Sequence, residues 1–329
     1  NCERPPLVLN GVVNSDLSHG GKTTFTCRDG YTLVGVTSTL CLDGQYQDKF
    51  PVCYANCKAS ISIVNGQYTG SFNHGGSIIF TCDVGYTLVG ESTITCDNGQ
   101  YSSSYAECKA NCDRPQLILN GEVNSDLSHG GKTTFTCRDG YTLVGVTSTL
   151  CLDGQYQDKF PVCYANCKAS ISIVNGQYTG SFNHGGSIIF TCDVGYTLVG
   201  ESTITCDNGQ YSSSNAECKA NCERPPLVLN GVVNSDLSHG GKTTFTCRDG
   251  YTLVGVTSTL CLDGQYQDQF PVCYANCKAS ISIVNGQYTG SFNHGGSIIF
   301  TCDVGYTLVG ESTITCDNGQ YSSSYAECK

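Results

Sequence analysis

Thiols are the reactive groups that dominate this chain. Cysteine occurs 24 times in 329 residues, first at Cys2, Cys27, Cys41 and Cys53 and then at Cys57, Cys82, Cys96 and Cys108. The intervals are 25, 14 and 12 residues in both sets, and the same pattern runs on to Cys328. Thiols at this density either pair oxidatively or ligate a soft metal. The metal reading lacks its spacing signature, since the chain has no CxxC and no Cys/His pair at zinc-ligand distance. Disulfide formation is therefore the expected chemistry. It requires an oxidising compartment, which predicts an extracellular or secreted protein. Four cysteines per set permit three connectivities, and spacing alone does not choose among them.

The other side chains offer less. His19 recurs once per cysteine set, always as His-Gly-Gly. One imidazole in 55 residues is too sparse for a multidentate metal site, so a turn role is expected. The Asp and Glu residues form no calcium-loop pattern, and Asp43 and Asp97 beside glycines read as hairpin residues. Arg4, Lys22, Arg28 and Lys49 are scattered, as on a solvated face. No GxSxG or other nucleophile motif occurs. The chain is thus expected to be non-enzymatic, without catalytic, cofactor-binding or metal residues. No Asn-x-Ser/Thr sequon is present. Thr23, Thr24, Thr37, Ser38, Thr39, Ser102, Ser103 and Ser104 are candidate O-glycan acceptors, weighed against ordinary strand and loop hydroxyls.

The net charge of −11 argues against nucleic acid and anionic lipid as partners. No run of about 18 apolar residues exists, so no membrane insertion is predicted. No signal peptide is visible and the first residue is Asn1, which reads as mature or excised material.

The elements that position the cysteines come from repetition. Residues 1–110 and 221–329 differ only at Lys49 and Gln269. The middle copy differs from the first at Asp113, Gln116, Ile118, Glu122 and Asn215. Within the first copy the two 55-residue halves agree at 22 positions without a gap. Six modules follow in alternating A and B types: 1–55, 56–110, 111–165, 166–220, 221–275 and 276–329. The last stops one residue short of the period, as expected of a window on a longer array.

Each module reads as β. Lys22–Cys27 and Ser77–Cys82 are rich in β-branched and aromatic residues. Tyr31–Val34 and Thr37–Cys41 follow as strands. Asn10-Gly11, Asp43-Gly44 and Asn98-Gly99 supply turn residues. No window carries a helical apolar period. Phe25 is expected to point inward, with Tyr31 and Leu33 sharing a face of the next strand. A 55-residue unit buries little core, so two disulfides, each contributing roughly 3–4 kcal/mol by chain entropy, are expected to compensate.

The order Cys, Asn-Gly, Phe-Thr-Cys, Gly-Tyr-Thr-Leu-Val-Gly, Cys, Gly-Gln-Tyr, Cys resembles the sushi, or complement control protein (CCP, SCR), module in all six units. The resemblance implies an all-β fold of small disulfide-stapled modules, each elongated with its termini at opposite ends. It also implies first-to-third and second-to-fourth pairing: Cys2–Cys41 and Cys27–Cys53, Cys57–Cys96 and Cys82–Cys108, Cys112–Cys151 and Cys137–Cys163, Cys167–Cys206 and Cys192–Cys218, Cys222–Cys261 and Cys247–Cys273, Cys277–Cys316 and Cys302–Cys328. The family's usual Trp before the last Cys is Tyr46 here and Tyr101 in the B type, and Tyr46 is expected to cover a disulfide. The usual Pro after the first Cys remains as Pro5 but is Ser60 in B, and Pro51 becomes Ala106.

Only Tyr54, Ala55 and Asn56 separate Cys53 from Cys57, and only Lys109, Ala110 and Asn111 separate Cys108 from Cys112. Joints this short, without Gly, cannot act as flexible tethers. They predict touching neighbours and an elongated rod, with Tyr54 and Tyr105 packing near the joint. Two functions fit. The first is a structural block of a fibre, sheath or adhesive thread, its partners further copies of the same array through self-association. The second is a multivalent ligand-binding or cell-adhesion ectodomain whose partner is carbohydrate or another extracellular protein. The near-identity of the copies favours the first reading.

Overall fold

The computed structural model describes residues 1–329 as an all-β chain without helix. Two compact units divide it, Asn1–Tyr164 and Ala165–Lys329. In the first module the strands are β1 (Gly11–Ser15), β2 (Lys22–Cys27), β3 (Tyr31–Val34), β4 (Ser38–Leu42), β5 (Gln45–Tyr46) and β6 (Val52–Ala55). In the second they are β7 (Gly66–Gly70), β8 (Ser77–Cys82), β9 (Tyr86–Val89), β10 (Thr93–Asp97), β11 (Gln100–Tyr101) and β12 (Glu107–Ala110). Each module holds a four-stranded antiparallel sheet, β1-β2-β4-β5 in the first, and a separate antiparallel pair, β3-β6. Strand β4 starts and ends one residue later than the Thr37–Cys41 that the sequence predicts. Leu42 joins it because it pairs with Gln45 across a tight hairpin. Asp43 and Gly44 form that turn with φ of 52° and 84°, the left-handed geometry of a two-residue hairpin. Asn10 takes φ 58° in a different turn, closed by the Gly11 N–H on the Val8 carbonyl at 3.0 Å.

Every cysteine is paired. Within each module the first joins the third and the second the fourth, as in Cys2–Cys41 and Cys27–Cys53. One bond ties the strandless N-terminal segment to β4, and the other ties β2 of the large sheet to β6 of the small pair. Covalent links thus replace the packing that so short a chain cannot supply. Phe25 is buried in the first module with Val8 and Cys53, and Tyr31 and Leu33 pack against them. The second module builds its core from Ile61, Ile78, Phe80, Ile94 and Ala106. In the unit Ala165–Lys329 the same strand order recurs, with the final pair shortened to Leu308–Val309 and Glu327–Cys328.

Candidate functional site

Two features stand out on this scaffold: the joints between modules, and a groove beside the last strand of each module.

At the first joint, Asn56 is the hub. Its N–H donates to the Gly30 carbonyl at 2.8 Å. Its Oδ1 accepts the Thr32 hydroxyl at 2.5 Å from the preceding module and the His74 N–H at 3.0 Å from the following one. His74 Nδ1 accepts the Asn98 N–H at 3.0 Å, and Asn98 Oδ1 reaches back to accept the Ala55 N–H at 2.9 Å. The Tyr54 ring stacks on the His74 imidazole with centroids 4.2 Å apart. The second joint keeps the circuit with changed parts. Asn111 Oδ1 accepts Thr87 Oγ1–H at 2.5 Å and the His129 N–H at 3.3 Å. His129 Nδ1 accepts the Asp153 N–H at 2.9 Å, and Asp153 Oδ1 accepts the Ala110 N–H at 3.0 Å. Lys109 replaces the tyrosine and pairs with Glu107 at 3.0 Å. The contact with Glu107, and then the field of Asp153, holds its ammonium above the ordinary lysine range. Within Ala165–Lys329 the joints at Asn221 and Asn276 repeat the two versions.

The histidine is therefore more than a turn residue. His19, in the first of the six modules, leaves 61% of its side chain exposed, whereas His74 in a joint leaves 18%. Its invariance across six copies, always 24 residues before the Asp or Asn of the hairpin, is the signal in the sequence that marks a shared bond.

Several sequence-derived candidates land elsewhere. Tyr105 is not a joint residue. It packs inside its own module against Tyr101, centroids 5.8 Å apart, and Phe80 at 6.3 Å. Where Asn215 replaces it, the amide oxygen accepts the Glu201 N–H at 3.3 Å. Tyr46 lies opposite Cys41 in the hairpin, donates its hydroxyl to the Glu3 carbonyl at 2.8 Å, and packs edge-on against Phe50. Thr23 and Thr39 are buried, because they face the interior between β2 and β4. A glycosyltransferase cannot reach them in the folded module, which removes both as O-glycan acceptors. Thr37, Ser102 and Ser104 are exposed, and Thr24, Ser38 and Ser103 are half-buried. No group of three or more His, Cys, Asp and Glu converges to hold a metal ion, and no helix is long and apolar enough to cross a membrane.

The groove runs between the N-terminal segment of a module and its last strand. In the fifth module it has a volume of about 450 Å3, with Leu227 and Leu229 on one wall and Val272 and Cys273 on the other. B-type modules have a groove at the same place, lined by Ser62, Val64, Glu107 and Lys109 in the second module. Sequence reasoning overlooked it because Leu7 and Leu9 alternate like strand residues, whereas the structure leaves both exposed.

Known proteins share this architecture. The family model for the Sushi repeat (SCR repeat) matches residues 2–53, 57–108, 112–163, 167–218, 222–273 and 277–328. Mouse complement receptor type 2 is 32% identical over 380 residues, covering 98% of this chain and 37% of that protein. The rat sushi, von Willebrand factor type A, EGF and pentraxin domain-containing protein 1 is 32% identical over 349 residues, covering all of this chain and 10% of that protein. Mouse C4b-binding protein is 30% identical over 303 residues, covering 83% of this chain and 63% of that protein. The chain thus spans less than two thirds of the length of each of these relatives. With six matches in tandem over paired cysteines, the chain belongs to the Sushi repeat (SCR repeat) family.

Proposed function

We propose that this chain is a ligand-binding segment of an extracellular protein, a non-enzymatic array that presents the same surface several times. One observation carries the reading: relatives aligned over 83–98% of the chain are named as a receptor and as a binding protein. The copies add a physical reason. Three A-type modules repeat the same exposed leucines, and equivalent sites on one chain gain avidity for a repetitive or multivalent ligand without any new contact. Near-identity of copies, which favours a fibre when the sequence is considered alone, serves avidity equally well. No relative cited here carries a fibre or sheath name, so binding takes precedence over the structural reading.

The test uses the whole purified chain. Sedimentation from micromolar to about 100 μM is expected to show one discrete species. A panel of purified extracellular proteins and glycans is expected to yield at least one saturable partner, bound more tightly at high surface density. Concentration-dependent growth into filaments, with no saturable partner, would return the protein to the fibre reading.

A further inference from the structure

The A-type groove has features that select its occupant, and we infer that it receives an extended, uncharged apolar peptide segment of a protein partner, added as a strand to the free edge of the module's last strand.

In the fifth module, Val272–Ala275 pairs with Tyr251–Val254 on one side only. The Asn276 N–H donates to the Gly250 carbonyl, so even-numbered positions of this strand point toward the paired neighbour and odd ones point away. Ala275 obeys this parity, since its N–H leaves the pair to donate to Asn318 Oδ1 at 2.9 Å. Cys273 has the same parity and lines the groove, so its N–H and carbonyl are offered there. An incoming residue laid opposite it would bond both groups. This is the geometry by which extended peptides add to sheet edges.

The walls set the chemistry. Leu227 and Leu229 are 88% and 74% exposed along one side, and Val272 is 49% exposed on the other. No residue lining this groove is charged, in a chain whose net charge is −11. An uncharged apolar ligand matches such a surface, whereas a charged one would lose hydration without gaining a partner. The B type keeps an exposed apolar residue, Val64, where Leu9 stands, but differs at the other points. Ser62 stands for Leu7, Glu107 stands for Val52, and Glu107 pairs with Lys109 at 3.0 Å. The exposed leucine of this wall recurs in every second module, as Leu7, Leu117 and Leu227, all at least 88% exposed.

The inference deepens the binding reading above and rests on it for its biological meaning. Its test is a titration of the 15N-labelled whole chain with the peptide Ac-Ser-Val-Thr-Val-Thr-Ser-NH2, followed by NMR. The Cys53, Cys163 and Cys273 amides are expected to shift saturably at millimolar peptide. Two N-methylated versions, one blocked at both valines and the other at both internal threonines, separate strand pairing from simple apolar contact. A paired strand uses one edge, so one version should lose at least tenfold in affinity while the other still binds. The triple variant Leu7→Ser, Leu117→Ser and Leu227→Ser should weaken the parent peptide at least tenfold without altering the spectrum of the free chain. The proposal is overturned by absence of a saturable shift, by equal binding of both methylated versions, or by equal shifts at Cys108, Cys218 and Cys328. It is also overturned if the chain self-associates through this face and the triple variant abolishes that, which would make a second copy the occupant. A failed titration beside saturable capture of an extracellular partner would refute the groove and leave the binding reading standing.

Discussion

Thr23 and Thr39 face one another across β2 and β4, at the positions where the alternate module sets Ile78 against Ile94. All four side chains are buried. The two hydroxyls differ in fate. Thr39 Oγ1 accepts the Asp48 N–H at 3.1 Å, whereas Thr23 Oγ1 has no hydrogen-bond partner. A buried hydroxyl without a partner costs about 1–3 kcal/mol in lost hydration. Thr23→Val, with its equivalents Thr133→Val and Thr243→Val, is therefore expected to raise the stability of A-type modules by about 1 kcal/mol each. Thr39→Val should lower it by a similar amount, because the Asp48 N–H loses its acceptor. Calorimetric melting of the variants checks both signs.

Asn56 carries the first joint through one oxygen that serves donors from both modules. Asn56→Ala leaves the Thr32 hydroxyl and the His74 N–H without that acceptor and should weaken the joint by about 1 kcal/mol, a population shift of roughly fivefold. Module cores do not include this residue, so their melting should be unchanged. The measurement is 15N relaxation on either side of residues 54–57, together with the rate of proteolytic cutting there. Unaltered relaxation and cutting would show that the stack of Tyr54 on His74 holds the joint alone.

Tyr101 donates its hydroxyl to the Lys58 carbonyl at 2.7 Å. Burial, and then the neighbouring Tyr105 and Tyr68, push its phenol above the ordinary tyrosine range, and Tyr321 behaves likewise. Burial, and then the neighbouring Tyr178, also raise Tyr211, where Asn215 stands in place of the second tyrosine. A phenol whose folded pKa lies above its unfolded value stabilises the fold fully below the unfolded value of about 10. That stability is lost as pH rises through the folded value, since the unfolded chain releases the proton first. Melting temperature should therefore decline above about pH 10, and less steeply in the variant Tyr101→Phe/Tyr211→Phe/Tyr321→Phe.

Asp16 accepts both the hydroxyl and the N–H of Ser18, at 2.6 and 3.0 Å. The side-chain bond first, and the backbone bond second, hold its carboxyl below the ordinary carboxylate range. The sign is opposite to that of the tyrosines. The contribution is present above the unfolded pKa and lost as pH falls through the folded one. Carboxyl NMR titration should place Asp16, Asp126 and Asp236 below the other aspartates, and Ser18→Ala should move Asp16 back up.

Much of the module was legible before any coordinates. Phe25 alternates with Cys27 and lies inside, and Asp43-Gly44 takes the left-handed turn that its residue types favour. The joints were legible as places, because three residues between Cys53 and Cys57 leave no room for a tether. Their chemistry was not. Thr32, Asn56, His74 and Asn98 are up to 66 residues apart in the chain, and no local pattern says that they share hydrogen bonds. Tyr105 shows the reverse error, since nearness to the joint in sequence suggested contact with it, while the half-exposed ring packs against Tyr101 of its own module.

Local physics, read from residue types and a 55-residue period, determined the β strands, the turns, the module count and the oxidative chemistry of the thiols, because each depends on neighbours within a few residues or on simple counting. Tertiary structure alone decided which hydroxyl at Thr23 or Thr39 finds a partner, which imidazole joins two modules, and that Leu227 and Leu229 stand exposed along an open groove. Those outcomes depend on where distant segments meet once the disulfides close, and side-chain burial and hydrogen-bond satisfaction are properties of that meeting.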